Sequence, residues 1–474
     1  DMIRSGETGW NWYTDLGANF VGSYAFYLLG SPFFWLTIPF PSEAVPYLMA
    51  PLLMLKMAVA AVTSFGYIKR FVRNPGFAAL GALMYAFSGY SIYNIFFNHF
   101  HEVIAFFPLL LIGLEEFVVN RRRGLFALTV ALNAVVNYYF FFGEVIFVVL
   151  YFFLRLGDKK NFRVDIRRFL LLALEAVIGL LLSAVLLLPG LMAIMDNPRT
   201  DNFLMGWSGI FYGNVQRYGL ILQSLFYPPD IPAYPNFFPD SNAKWSSVSL
   251  FLPMVSLSGV IAFIRSRQGH WARRIFLISV LTSLVPILNS AFSAFNTAYY
   301  ARWFYMPLLI MAMMTCSSLE DCTFEQLQSG VGWTGAAVVA FALIGVFPSK
   351  SGEDVVFGQL PEYPERLLAY LLVTVVGLIL TACLVSLPRK GFSARKFLRP
   401  ATISLSFMIV VTSVMMLMLG KGNATTVKRV AGMGLQGEFT TITADTDDVY
   451  RIDMYNKDDT RCMDNFPMFW QIPT

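Results

Sequence analysis

Val118-Val119-Asn120-Arg121-Arg122-Arg123-Gly124-Leu125-Phe126-Ala127-Leu128-Thr129-Val130 places three consecutive cations between two apolar runs. Apolar run followed by basic knot is the pattern of most of the chain. Further knots fall at Lys69–Arg73, Arg155–Arg168, Arg265–Arg274 and Arg389–Arg399, and with Arg121–Arg123 they hold 21 of the 35 Lys and Arg. Each closes an apolar segment about long enough to cross a bilayer, so the pattern is that of an integral membrane protein with these loops on the cytoplasmic side.

Composition agrees. Hydrophobic residues make up 56% and charged residues 14%, against about 45–50% and about 25% in soluble domains. The net charge of +5 is concentrated in short basic loops, where topology accounts for it, so no nucleic-acid partner is implied. Cys316, Cys322, Cys383 and Cys462 are scattered without metal-finger spacing, which gives neither a disulfide framework nor a zinc site. The first residue is Asp1, and Pro467–Thr474 reads as the middle of a folded segment, so the chain is expected to be a piece of a longer protein.

At about 20 apolar residues per crossing, spans are expected near 45–65, 76–97, 103–119, 168–188, 249–264, 275–291, 303–317, 331–347, 366–387 and 401–419. The interval from Arg123 to Arg155 is too long for one crossing and too short for two full ones, yet both ends are basic. It reads as a hairpin of two short helices turning near Asn137–Gly143. The result is an all-α membrane protein of about twelve transmembrane helices with long aromatic outer loops. Residues 1–44 form an outer loop with an interfacial or re-entrant segment at Phe20–Phe40, 45–420 the transmembrane domain, and 421–474 the start of an extracytoplasmic domain. Ser317–Gly330 carries Glu320, Asp321 and Glu325 but no cation. The count keeps it cytoplasmic, because acidic residues weigh little in orientation. No internal repeat of fixed period is visible.

Ionisable residues at membrane depth are candidates for function. Lys56 is expected to pair with a carboxylate across the bundle, Glu175 to snorkel to the inner interface, and Glu144, beside Gly143 at the hairpin turn, to face a ligand. Asn98-His99-Phe100-His101-Glu102 lies at an outer mouth, where His99, His101 and Glu102 line a cavity. An H-x-H spacing beside a carboxylate admits a divalent metal but supplies no third ligand of its own, so no cofactor is assigned. Tyr299-Tyr300-Ala301-Arg302-Trp303 opens a span. A guanidinium between Tyr300 and Trp303 at headgroup level suits a lipid-linked phosphate, because Arg chelates phosphate oxygens bidentately. In the first loop, Trp12 and Asn19 accompany Asp15, and carboxylates beside aromatic rings suit a sugar. The proline- and aromatic-rich run Phe226–Asp240 offers a stiff surface for an amphipathic ligand.

Arg4-Ser5-Gly6, Gly9-Trp10-Asn11-Trp12, Asp15-Leu16-Gly17-Ala18-Asn19-Phe20, Gly22-Ser23-Tyr24 and Gly30-Ser31-Pro32-Phe33 resemble the first outer loop of the YfhO family of bacterial membrane proteins. Asn137-Tyr138-Tyr139-Phe140-Phe141, the Tyr300–Trp303 element and Asp464-Asn465-Phe466-Pro467 are similar to later landmarks of that family. The resemblance implies a GT-C type glycosyltransferase of the bacterial cytoplasmic membrane. Its donor would be a sugar on undecaprenyl phosphate, a polyprenyl-phosphate carrier, and its acceptor a cell-envelope polymer such as lipoteichoic acid. It also implies a catalytic carboxylate upstream of Asp1, with Asp15 a weak candidate inside the chain. From other classes, a flippase or exporter of lipid-linked precursors and a non-catalytic envelope scaffold fit the same sequence. An exporter requires alternating access, whereas the long aromatic outer loops favour a fixed outer site.

Overall fold

A computed structural model describes residues 2–12, 17–195, 203–233, 235–239, 243–351, 354–358, 361–387 and 394–421, with isolated positions 428 and 432. Asp15 and nearly all of 421–474, the expected extracytoplasmic domain, lie outside the described residues. The fold is helical apart from two small hairpins, Trp10–Asn11 with Ala18–Asn19 and Pro348–Ser351 with Asp354–Phe357.

The principal helices are α1 (Val45–Ile68), α2 (Pro75–Ala86), α3 (Phe100–Val118), α4 (Leu125–Val136), α5 (Tyr138–Arg155), α6 (Ile166–Met195), α7 (Ser258–Ser266), α8 (Trp271–Leu284), α9 (Pro286–Ala291), α10 (Tyr305–Asp321), α11 (Phe324–Gly345), α12 (Pro364–Ser386) and α13 (Ala394–Gly420). Among the described residues, six helices are long and apolar enough to cross a membrane, at Val45–Ile68, Tyr138–Arg155, Ile166–Ala193, Phe324–Gly345, Pro364–Ser386 and Lys396–Gly420. That is fewer than the expected twelve, for local reasons. The 76–97 segment breaks after Ala86 and resumes at Gly89–Tyr93. The 249–264 segment is helical only from Ser258. The 275–291 segment is interrupted at Val285, in the extended region that a following proline imposes. Helix α10 has the expected position but 17 residues, of which Tyr305–Ser318 are all buried; it is the axis of the bundle.

The helix pair is present, hinged at Asn137 with φ −161° and ψ 105°, but only its first member is short: Leu125–Val136 has 12 residues, whereas Tyr138–Arg155 has 18 and is long enough to cross. The Asn137 side chain accepts from Tyr139 N and Phe140 N, so it both ends α4 and caps α5. Glu175, expected to snorkel, is 8% exposed and caps instead: it accepts from Gly124 N at 2.7 Å and Ala127 N at 3.3 Å. A carboxylate at that helix start is favoured by the orphan N–H groups there.

Four of the five basic loops meet in one ionic layer at one end of the bundle. Glu116 pairs with Arg70 and Arg122, Glu115 with Arg155 at 2.9 Å, and Asp321 with Arg73 and Arg267. The acidic Ser317–Gly330 segment therefore lies at the same end as the basic knots, where the span count had put it. Its Glu320 and Asp321 are the partners of Arg73, and Asp321 also of Arg267.

At the other end Phe20–Trp35 does not form one crossing. It is a chain of short turns, Phe20–Tyr24, Ala25–Leu29 and Pro32–Trp35. The turns fit against the α4–α5 hinge only because residue 30 is glycine: a Cβ there would stand 1.6 Å from Val135 O.

Candidate functional site

Helix rise locates the cluster that gathers at this second end. Arg302 precedes α10, whose far end, Asp321, lies in the ionic layer; sixteen steps from Tyr305 to Asp321 at 1.5 Å give ~24 Å. Glu102 is likewise ~21 Å along α3 from Glu116. Both stand well past the midplane of a hydrocarbon core of ~30 Å, on the side away from the basic loops.

Around Arg302 the geometry is aromatic. The guanidinium carbon lies 4.4 Å from the ring centre of Tyr300, 5.3 Å from Phe100 and 5.6 Å from Tyr139. Those contacts join three distant parts of the chain, and Tyr90 Oη secures the backbone by donating to Arg302 O at 2.5 Å. No carboxylate pairs with Arg302 among the described residues, and its buried Nε has no hydrogen-bond partner. An aromatic cage satisfies a cation in part, but an N–H donor held out of water still lacks an acceptor.

The N-terminal segment adds a fourth strand to this meeting. Phe26 packs on Tyr139 at 5.7 Å and on His99 at 5.7 Å, while Asn137 Nδ2 donates to Phe26 O at 2.8 Å. His99 sits half-buried against Phe26, Tyr27 and Phe100. Just beneath, Lys56 Nζ meets Glu102 Oε1 at 2.8 Å, with side chains 5% and 2% exposed. Lys56 also donates to Asn98 O at 3.1 Å and to the Asn98 side chain, and Ser31 Oγ donates to Glu102 at 2.5 Å. The expected partner of Lys56 is thus Glu102. The pair fastens the turns of Phe20–Trp35, through Ser31, to α1 and α3.

Several expected site residues are placed elsewhere or are already engaged. Glu102 and His101 are buried rather than lining a cavity, and His101 Nε2 bonds Ser91 O at 2.9 Å. Glu144 is 1% exposed inside α5, where it accepts from Tyr305 Oη at 2.8 Å; it faces helix α10 and no open surface. Trp303 is buried, stacked on Phe292 at 4.2 Å with its Nε1 donating to Asn289. Sequence spacing put Trp303 on the same side as Tyr300, but the turn at 302–304 sends it into the core. Trp12 is exposed against Trp10, and Asn19 caps the Phe20–Tyr24 turn by accepting from Gly22 N. Neither touches Arg302.

His99, His101 and Glu102 diverge toward rings, a backbone carbonyl and a lysine. Among the described residues no three His, Cys, Asp or Glu are placed to hold a metal ion. The Phe226–Asp240 run also departs from expectation: Phe226, Tyr227, Ile231 and Phe237 are buried rather than offered to a ligand. Asp230 there accepts from Tyr370 Oη at 2.7 Å, Ile231 N at 2.8 Å and Asn236 N, beside a cavity of about 20 Å³ lined by Tyr93, Gln223 and Ser246. That volume holds about one water, not a sugar.

Phe26, Ser31, Asn98 and Tyr139 were absent from the sequence-level candidates. Ser31 and Tyr139 lie in the quoted family-like stretches, and Asn98 adjoins His99, but nothing in their spacing signals contact with one another.

The arrangement defines a multi-span helical membrane protein with a caged cation, unpaired among the described residues, at the end opposite its basic loops. The chain belongs to the family described as "Bacterial membrane protein YfhO", whose model matches residues 1–468. No curated protein sequence matches it. A solved structure, ArnT from Cupriavidus metallidurans bound to undecaprenyl phosphate, superposes with a TM-score of 0.46 and 11% identity, covering 93% of this chain and 74% of its own. A superposition that loose places no constraint on activity.

Proposed function

We propose that this chain is the membrane part of a GT-C type glycosyltransferase that takes a sugar from a polyprenyl-phosphate carrier and passes it to a cell-envelope polymer, such as lipoteichoic acid, on the outer face. The observation that carries the reading is Arg302: a guanidinium in an aromatic cage, with no carboxylate partner among the described residues and a buried Nε donor unmet. Phosphate oxygens satisfy such a donor, and the surrounding rings accept the first units of an isoprenoid chain. In transfer, the acceptor hydroxyl oxygen bonds to the anomeric carbon as the bond from that carbon to the phosphate oxygen breaks. The electron pair leaves with the polyprenyl phosphate, where Arg302 offsets the developing charge, and the hydroxyl proton passes to a carboxylate. In this proposal that carboxylate is the one the family resemblance implies upstream of Asp1, with Asp15 the weaker candidate inside the chain. Orientation follows from the basic loops: if they face the cytoplasm, the Arg302 cluster faces out.

The test is transfer of labelled sugar from a polyprenyl-phosphate donor into envelope polymer by the full-length protein in membranes. Arg302→Ala is expected to abolish incorporation, and Arg302→Lys to retain part of it by keeping charge without the planar fork. Undiminished incorporation by the alanine variant, with the protein present at normal abundance, overturns the assignment.

A further inference from the structure

The segment Phe203-Leu204-Met205-Gly206-Trp207-Ser208-Gly209-Ile210-Phe211-Tyr212-Gly213-Asn214-Val215 contains no Asp, Glu, Lys or Arg. Yet Phe203, Met205, Trp207, Ile210, Phe211 and Val215 are all exposed, Met205 to 80% and Trp207 to 76%. An uncharged loop with that much contiguous apolar surface is not stable in water without a cover.

Its anchoring fixes its depth. Tyr212 Oη donates to Ser283 O at 2.8 Å, and Gly209 lies over Ile287, whose side chain is 3.8 Å from the place a Cβ would occupy. Ser283 is twelve residues along α8 from Trp271, and Trp271 belongs to the ionic layer, with the Arg155 guanidinium 5.0 Å from its ring. Twelve steps make ~18 Å, inside a hydrocarbon core of ~30 Å. The exposed side chains of Leu277, Leu281, Ile287 and Leu288 on α8 and α9 continue the apolar surface of the loop down the bundle.

We propose that Phe203–Val215 is a flap seated in the membrane leaflet opposite the basic loops, and that its partner is the hydrocarbon of the bilayer lipids. Its irregular backbone keeps it near the boundary with the headgroups, where amide groups still reach water and where Trp and Tyr are favoured. Trp207, stacked on Phe211 at 6.1 Å, is the anchor. The flap also adjoins the Arg302 element: the Tyr212 ring lies 5.6 Å from Tyr299, and Arg217 donates to Tyr299 O. It forms the lipid-side flank of that cluster, and it does so whether or not the cluster transfers sugar.

Tryptophan quenching in vesicles tests this without any donor or acceptor. The full chain and its Trp207→Phe variant are reconstituted into phosphatidylcholine bilayers, and the difference emission is assigned to Trp207. Lipids brominated near the glycerol end of the acyl chain are expected to remove most of that emission, while aqueous iodide leaves it. Quenching by iodide and not by brominated lipid overturns the proposal. A second reading needs no substitution: a lipid-borne diazirine should cross-link residues 203–215 of the unaltered protein. Absence of adducts there, with adducts present on Leu277–Leu288, equally overturns it. Neither result depends on transferase activity, so failure of the flap and failure of the Arg302 reading are separable.

Discussion

Lys56 and Glu102 offer a quantitative test of what holds the turns of Phe20–Trp35. Their charged atoms are 2.8 Å apart and their side chains 5% and 2% exposed, which at an effective dielectric of about 20 corresponds to ~6 kcal/mol of attraction. Desolvation of the two ions offsets much of it, so the pair contributes little net stability while each partner depends on the other. Lys56→Met leaves Glu102 with the Ser31 hydroxyl as its one remaining donor among the described residues, an uncompensated carboxylate in an apolar bundle. The expected cost is ~3–5 kcal/mol, the range for breaking a buried pair. Glu102→Leu leaves the ammonium with Asn98 only and is expected to cost about the same. In the double variant Lys56→Met/Glu102→Leu both charges are gone, and the loss should fall well below the sum of the singles, a coupling of about 2–3 kcal/mol. The assay is reversible unfolding of the purified chain in mixed micelles as the denaturing detergent fraction rises, followed by far-ultraviolet circular dichroism. Singles that each lose less than about 1 kcal/mol and combine additively would falsify the buried-pair argument, because solvated ions behave that way.

Two further outcomes follow from the packing and the charge pattern. Asp230 in the connecting loop has its carboxyl pushed up to about 6 by burial, which outweighs the donors on it. The protonated form is therefore favoured in the fold: this contribution is full below the ordinary carboxylate range and is lost as pH rises through about 6, at a cost of ~3 kcal/mol. Thermal stability measured from acid to neutral pH should fall through that window in the native chain, with a flatter profile in Asp230→Asn; parallel profiles refute the assignment. Cys462 lies outside the described residues; with the basic loops cytoplasmic, as the charge pattern leads one to expect, it is expected on the outer side, and an impermeant maleimide should label it in intact cells. Labelling only after permeabilisation inverts the topology.

Much of this protein was legible in the chain itself. Alternation of apolar runs with basic knots decides class and end-to-end polarity, because transfer of a charge into hydrocarbon is costly wherever the chain folds. The same logic found the Lys56 partner in kind, the paired helices around Asn137, and the irregular character of Phe20–Phe40. Side-chain direction was not legible. Trp303 and Tyr300 both lie within two residues of Arg302 in sequence, yet one is stacked in the core on Phe292 and the other lies under the guanidinium. Glu144 sits seven residues past a hinge and turns inward to Tyr305. Helix length also escaped the sequence, since Pro286 and the break after Ala86 interrupt runs whose hydropathy is continuous. The gathering of Phe26, His99, Phe100, Tyr139 and Arg302 is set by tertiary structure alone. Local pattern determines what each segment can bury, whereas which segments share a neighbour depends on close approaches such as Gly30 on Val135, and a single chain carries no marker for those.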